Sequence, residues 1–277
     1  MTYGSTWYRS LFTHLMLIVI GSFFIMPLVV VFFTALKPGP ELYILPPKLL
    51  PNVYQWSNFK EAVMTIPFVK YTLNSLFIAL FVVVGSVVSA SLVGYAFARL
   101  QWKGRNFFFA VLIATMILPG QVTMIPLFVV FKQIGWLNTY YPLIVPAFTG
   151  SAFNIFLLRQ FSRTIPQELS DSGKIDGANE FRIYWDIILP LTKPALAVIA
   201  IFAFMNTWND FYGPLIYLND KNLSTLALGL REFQQLHGVT WNLLLAASLI
   251  AIIPSLVLFF AFQRYFVEGI TLTGIKG

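Results

Sequence analysis

The chain has 277 residues, a formal net charge of +7, only 10% charged residues and a mean hydropathy of +0.76. Soluble domains carry about 25% charged residues, so an ordinary soluble domain is excluded. The absence of cysteine excludes disulfides, thiolate nucleophiles and Cys-bound metals, and basic residues seated at the ends of apolar runs follow membrane topology rather than a nucleic-acid surface.

Apolar runs of more than ~18 residues mark spanning helices. Six are predicted, at His14–Leu36, Thr72–Ala98, Phe107–Phe131, Tyr141–Leu158, Pro194–Leu218 and Asn242–Phe266, with ends set to within ~2–4 residues. The fold class is therefore an all-α polytopic membrane protein, expected as one transmembrane domain over residues 1–277. Met1–Arg9 and the run after it lack a small-residue cleavage pattern and read as an uncleaved first span. Pro27, Pro119 and Pro254 fall inside spans, as simple kinks or as hinges, which membrane helices tolerate when neighbours satisfy the freed carbonyls. His14 and His237 are too far apart to share a ligand, and read as an interfacial and a loop residue.

Between the first two spans, residues 37–71 hold Pro38, Pro40, Pro46, Pro47 and Pro51 and predict an ordered, partly extended outer cap. The second span carries Gly85, Ser89, Ala90 and Gly94 at roughly helical spacing. Small residues let helices approach closely, within the chain or at a subunit interface. Trp102, Trp136 and Trp241 near span ends read as interfacial anchors.

Residues 163–193, between the fourth and fifth spans, are polar and much longer than the ~2–8 residues that connect neighbouring helices, so they reach something outside the bilayer. Thr164-Ile-Pro-Gln167 has the spacing of a capping box, predicting a helix from about Pro166 to Lys174. Asp176-Gly177 interrupts it, with Asp176 placed to cap the next helix. That helix carries Phe181, Trp185, Ile188 and Leu189 on one apolar face and ends at Pro190. The product is a helical elbow at the membrane surface.

The fifth span holds Asn206, Thr207, Asn209 and Asp210. At ~1.5 Å per residue, Asn206 lies ~18 Å from Pro194, near the bilayer middle, and Asp210 ~24 Å from it, near the outer edge. Such groups need a partner, a cavity or water. They read either as packing hydrogen bonds or as the lining of a polar route, with Asn206 and Asn209 facing it and Trp208 and Tyr212 supplying aromatic faces for sugars. The outer loop 219–241 holds Glu232, Phe233, Gln234 and Gln235, read as an amphipathic surface helix or as a contact for an extracytoplasmic solute-binding protein.

With the N-terminus inside, eleven basic residues, most of them arginines, fall on the cytoplasmic side and seven on the outer side. This sign matches the positive-inside rule. It puts the elbow and both termini in the cytoplasm.

The elbow resembles the "EAA" loop of permease subunits of bacterial and archaeal ABC importers. Asp171-Ser172-Gly173 stand at the E-A-A positions, followed by Asp176-Gly177-Ala178, Phe181, Ile187 and Leu189-Pro190. Neither alanine is present, but the order acid, small, small is kept. Tyr95-Ala-Phe-Ala-Arg99, Lys193-Pro-Ala-Leu196, Trp208-Asn-Asp210, Pro214-Leu-Ile216 and the tail 266–277 extend the resemblance over the chain, toward the carbohydrate-uptake class of the maltose type. The resemblance implies a non-enzymatic subunit, paired with a related permease on two cytoplasmic ATPases and fed by a sugar-binding protein. Glu168, Asp171, Ser172, Gly173, Asp176, Gly177, Ala178 and Phe181 would meet the ATPase, which binds ATP and Mg. No cofactor is expected on this chain, which has no Gly-rich Walker loop. A polyol or glycerol phosphate is the alternative cargo, and the companion subunit is implied to hold most sugar contacts. An intramembrane enzyme would need clustered catalytic groups, and no H-E-x-x-H or G-x-S-x-G is present. A non-transporting assembly protein, using the elbow only as a dock, is the third class.

Overall fold

A computed structural model describes residues 5–235 and 238–274. His237, the side chain of Gln235 and the end of the expected tail lie outside the described residues. The regular elements of the described residues are helices, apart from a two-residue antiparallel ladder pairing β1 (Gln234–Gln235) with β2 (Gly238–Val239). In order, the helices are α1 (Ser5–Ala35), α2 (Ser57–Thr65), α3 (Phe68–Arg99), α4 (Arg105–Thr115), α5 (Gly120–Gln133), α6 (Tyr141–Ile144), α7 (Ala152–Thr164), α8 (Glu168–Ile175), α9 (Glu180–Arg182), α10 (Leu189–Leu191), α11 (Lys193–Trp208), α12 (Tyr212–Tyr217), α13 (Leu226–Gly229), α14 (Trp241–Ala251) and α15 (Ile253–Gly274). Among the described residues four helices are long and apolar enough to cross a membrane, and six if two bent pairs each form one span.

Three predicted spans are corrected in detail. The third breaks rather than kinks: α4 and α5 meet at 98° around Pro119. A proline disfavours helical backbone at the residue before it and brings no N–H of its own. The fourth is interrupted by a 3-10 turn at Val145–Thr149 and by Gly150 at φ 95°. The fifth stops at Trp208, ten residues earlier than expected, so Asn209 and Asp210 lie beyond the helix rather than inside it.

The chain forms two contact units. One runs up to Phe68 and adds Leu230–Ile253; the other is Val69–Gly229 with the chain from Pro254. In the first, the cap after α1 is tied by side chains: Asn58 Nδ2 donates to the carbonyls of Ala35 (2.8 Å) and Lys37 (2.9 Å), and the Asn52 N–H donates to Glu41 Oε1 at 2.9 Å. The two Asn58 bonds satisfy carbonyls at and just past the end of α1, groups that a helix leaves unpaired. The cap includes α2 and a 3-10 turn, so it is more helical than its prolines suggest.

In the second unit the small-residue stripe of α3 packs within the chain. A Cβ on Gly94 would stand 3.0 Å from Leu158 Cβ and 3.4 Å from the Arg159 nitrogen, and one on Gly85 2.7 Å from the Phe148 ring. Ser89 Oγ donates to the Ala147 carbonyl at 3.0 Å. Ala90, Leu158, Ala195 and Ile199 form one core here, joining α3, α7 and α11. A second core joins Tyr95 to Ile183, Tyr184 and Ile188.

Candidate coupling elbow and polar cavity

The elbow forms, with different stops from those its sequence predicts. Thr164 belongs to the end of α7, where its hydroxyl donates to the Phe161 carbonyl, so the capping box does not form. Asp176 closes α8 as its C-cap, and Asn179 caps the next helix by accepting from the Arg182 N–H at 2.9 Å. Between them Gly177 takes φ +80°. Its N–H donates to the Lys174 carbonyl (3.0 Å) and the Ala178 N–H to the Gly173 carbonyl (2.9 Å), which together make a Schellman turn. Pro190 does not end the second arm. The arm passes through a π segment over Ile183–Ile188 and then α10, with the Leu189 N–H reaching back to Tyr184. Proline's missing N–H removes one ordinary helical bond there, and a π register is one way to accommodate an interrupted ladder.

That register turns the arm's faces. Ile183, Tyr184 and Ile188 are buried, whereas Phe181 and Trp185, expected on the apolar face with Ile188, are exposed and stacked at 6.2 Å. Leu169 and Ile175 are also exposed, Ile175 by 86%. Gly173 is buried; a Cβ there would stand 3.0 Å from Ile187 Cδ1, so the second small position is where the two arms meet. Glu168, Asp171, Ser172, Asp176 and Gly177 are exposed, and Ala178 is half-buried.

The C-terminal third of α3 grips the elbow. Tyr95 Oη donates to Glu180 Oε2 at 2.9 Å, and Ser91 Oγ shares a 2.8 Å bond with Tyr184 Oη. Arg99 donates to Gln167 Oε1 (2.7 Å) and to the carbonyls of Ser162 and Ile165. Glu180 also pairs with Lys174 across the turn at 2.8 Å, and this hydrogen bond holds the Lys174 ammonium above its ordinary pKa.

Toward the other end of the same unit, Val82, Ser86, Ser151, Phe153, Asn154, Phe202, Ala203, Asn206 and Thr207 line a cavity of ≈ 530 Å³. Asn206 is exposed into it. The other residues read as a route divide. Trp208 is buried and stacked on Phe204 (5.6 Å), so its face is taken. Asn209 donates to the Met205 carbonyl at 2.7 Å. Asp210 Oδ1 accepts from the Gly213 N–H at 3.1 Å, an anchor for α12. Burial pushes the Asp210 carboxyl above its ordinary pKa, against the opposing pull of the Gly213 and Tyr212 N–H groups, and burial likewise raises the Tyr217 phenol. Tyr212 is exposed by 71%. Sequence reasoning missed Ser86, Ser151 and Asn154, although Asn154 is the one carboxamide in the fourth apolar run, an outlier of the kind that marks functional positions in membranes.

The loop 219–241, expected outside, is not an amphipathic helix but short turns ending in the β1–β2 hairpin. Phe233 is fully buried, its carbonyl accepting from Thr240, so its ring is not offered to a partner. Glu232 is half-buried and Gln234 exposed.

Comparison with known proteins places this chain beside one family, three curated relatives and one solved structure. The family described as "Binding-protein-dependent transport system inner membrane component" matches residues 90–272. The arabinooligosaccharides transport system permease protein AraQ is 34% identical in Bacillus subtilis, over 98% of this chain and 96% of that one. Its counterpart in Halalkalibacterium halodurans is 40% identical over 74% and 73%. The sn-glycerol-3-phosphate transport system permease protein UgpE of Pectobacterium atrosepticum is 34% identical over 94% and 95%. In fold, the chain resembles a crystal structure of a bacterial ABC transporter that imports the acidic polysaccharide alginate (TM-score 0.82, 23% identity, 96% of this chain and 99% of that one).

Proposed function

Because this chain belongs to the family of binding-protein-dependent transport system inner membrane components, we propose that it is the permease subunit of an ATP-driven sugar importer, forming half of the translocation route. One observation carries the reading: sugar-permease relatives align along nearly the whole chain, 98% of it in one case. The elbow adds a physical reason. Its turn is tight and its exposed Leu169, Ile175, Phe181 and Trp185 suit an apolar groove on a partner.

In this reading the elbow faces the cytoplasm and docks on an ATPase, which binds and hydrolyses ATP. A companion permease forms the other half of the route, two ATPases sit beneath the pair, and a sugar-binding protein delivers cargo outside. ATP binding draws the ATPases together. The elbow transmits that displacement through Tyr95, Arg99 and Ser91 to α3, and through the shared core to α7 and α11. Motion passes because the contacts are packed and bonded, so the elements shift as bodies rather than deform. The positive-inside bias supports this orientation.

A glycerol phosphate cargo is the second reading, favoured by the 34% identity to the glycerol-3-phosphate permease. The uncharged lining of the cavity weighs toward a neutral solute. Gentle purification of the tagged chain tests the proposal. Recovery of a second permease and a Walker-motif ATPase, with ATP hydrolysis stimulated by sugar-loaded binding protein, is the expected result. Recovery of the chain alone, under conditions that preserve membrane complexes, rejects it.

A further inference from the structure

We propose that Asn154 and Asn206, with Ser86, Ser151 and Thr207, form a binding subsite for an uncharged polyhydroxy solute within this chain. The inference rests on the reading of the chain as a sugar-importer permease and names what that route recognises here.

The five polar side chains line one cavity, and none of them makes a side-chain hydrogen bond among the described residues. Two are buried: Ser86 is 6% exposed and Asn154 8%. Buried polar side chains in folded proteins are nearly always bonded. Elsewhere in this unit Ser75, Ser89 and Ser91 follow the rule, whereas the buried hydroxyls of Thr72, Tyr140, Ser162 and Ser170 do not. The five at the cavity differ from those in sharing one open space, where a ligand can meet them together.

The donor set defines the ligand. Each carboxamide offers one acceptor and two donors, and each hydroxyl offers both roles. Sugar hydroxyls are also both donors and acceptors, so they can satisfy such a mixed set. A phosphate or carboxylate calls for arginine or lysine, and no charged side chain is among the described lining residues. Phe153 and Phe202, with ring centroids 6.4 Å apart, add an apolar wall for the C–H faces of a sugar ring. The volume of ≈ 530 Å³ falls within the ~300–1,000 Å³ of small-molecule sites. Ser86 comes from α3, Asn154 from the first turn of α7 and Asn206 from α11, so the subsite sits on the helices that the common core joins.

The test is uptake by cells carrying the complete importer, at matched membrane amounts. The probes are radiolabelled arabinotriose, maltotriose and cellotriose, with sn-glycerol 3-phosphate as the charged control. ATP hydrolysis by the purified complex with its loaded binding protein is measured alongside. Asn154→Ala and Asn206→Ala are each expected to lower maximal uptake of a neutral sugar about five-fold, the effect of one lost buried hydrogen bond. Stimulated ATP hydrolysis should be retained, which a damaged fold would not allow. Asn206, exposed in the cavity, carries the test alone if Asn154→Ala fails to assemble. If the parent imports a neutral sugar and the variants match it in rate, the polar groups hold only water; the subsite is rejected and the sugar-permease reading stands. If the parent imports glycerol 3-phosphate and none of the sugars, both are overturned.

Discussion

The Tyr95 hydroxyl donates a 2.9 Å hydrogen bond to Glu180 Oε2, while Lys174 holds the other carboxylate oxygen at 2.8 Å. One carboxylate thus joins α3 to both arms of the elbow. Tyr95→Phe should lower the stability of the purified complex by about 1 kcal/mol, the lower end for a bond to a charged group because Glu180 is half exposed. Thermal unfolding measures this. In a double-mutant cycle with Lys174→Met the two effects should be non-additive, since both act on one acceptor; strict additivity would deny the shared carboxylate.

Gly177 lies at φ +80° with nothing within 4 Å of where its Cβ would stand. Gly177→Ala therefore meets only backbone strain, about 1–2 kcal/mol. The chain should insert and assemble normally, yet sugar uptake per ATP hydrolysed should fall several-fold, as should that of Gly177→Asp. Uptake equal to the parent's would show that the turn's geometry does not matter for coupling.

At Gly94 the opposite holds, because the neighbours are a core Leu158 and the Arg159 backbone. Gly94→Leu should cost about 1–3 kcal/mol by overpacking and lower the yield of assembled complex. A yield and melting temperature equal to the parent's would contradict the close approach of α3 and α7.

Asp210 gives a pH dependence. Burial raises its carboxyl above the ordinary value of 3.8, so the native state holds the proton more tightly than the unfolded chain does. Below both pKa values the group has no effect. As pH rises from 3.8 through the native value, native stability falls, and above it the loss is constant. Asp210→Asn keeps an acceptor for the Gly213 N–H and removes the titration, so its melting temperature should lose that downward slope. A parent and variant with parallel pH profiles would rule out the effect.

Spans and elbow were legible because membrane thickness sets helix length and because a long polar insert between apolar runs stands out. The breaks were less so. Pro119 and Pro254 look alike in sequence, yet only the former accompanies a 98° bend, since flanking contacts decide whether a proline kinks or severs a helix. The exposed face of Phe181 and Trp185 was misread because periodicity assumes 3.6 residues per turn, and the π segment departs from that. Asn206 was visible as a polar residue within an apolar run. Asn154, the one carboxamide in its run, gave the same signal and was passed over, whereas Ser86 and Ser151 gave none, since only tertiary structure places three separate helices around one cavity.

The Schellman turn at Gly177 is written almost wholly in main-chain bonds. Its shape therefore does not depend on the side chains that surround it, glycine excepted. Leu169, Ile175, Phe181 and Trp185 are free to change in the course of descent while the turn stays as it is. If the elbow docks as proposed, allegiance to a given ATPase is a property of a replaceable surface, and a lineage could exchange its motor without redesigning the joint.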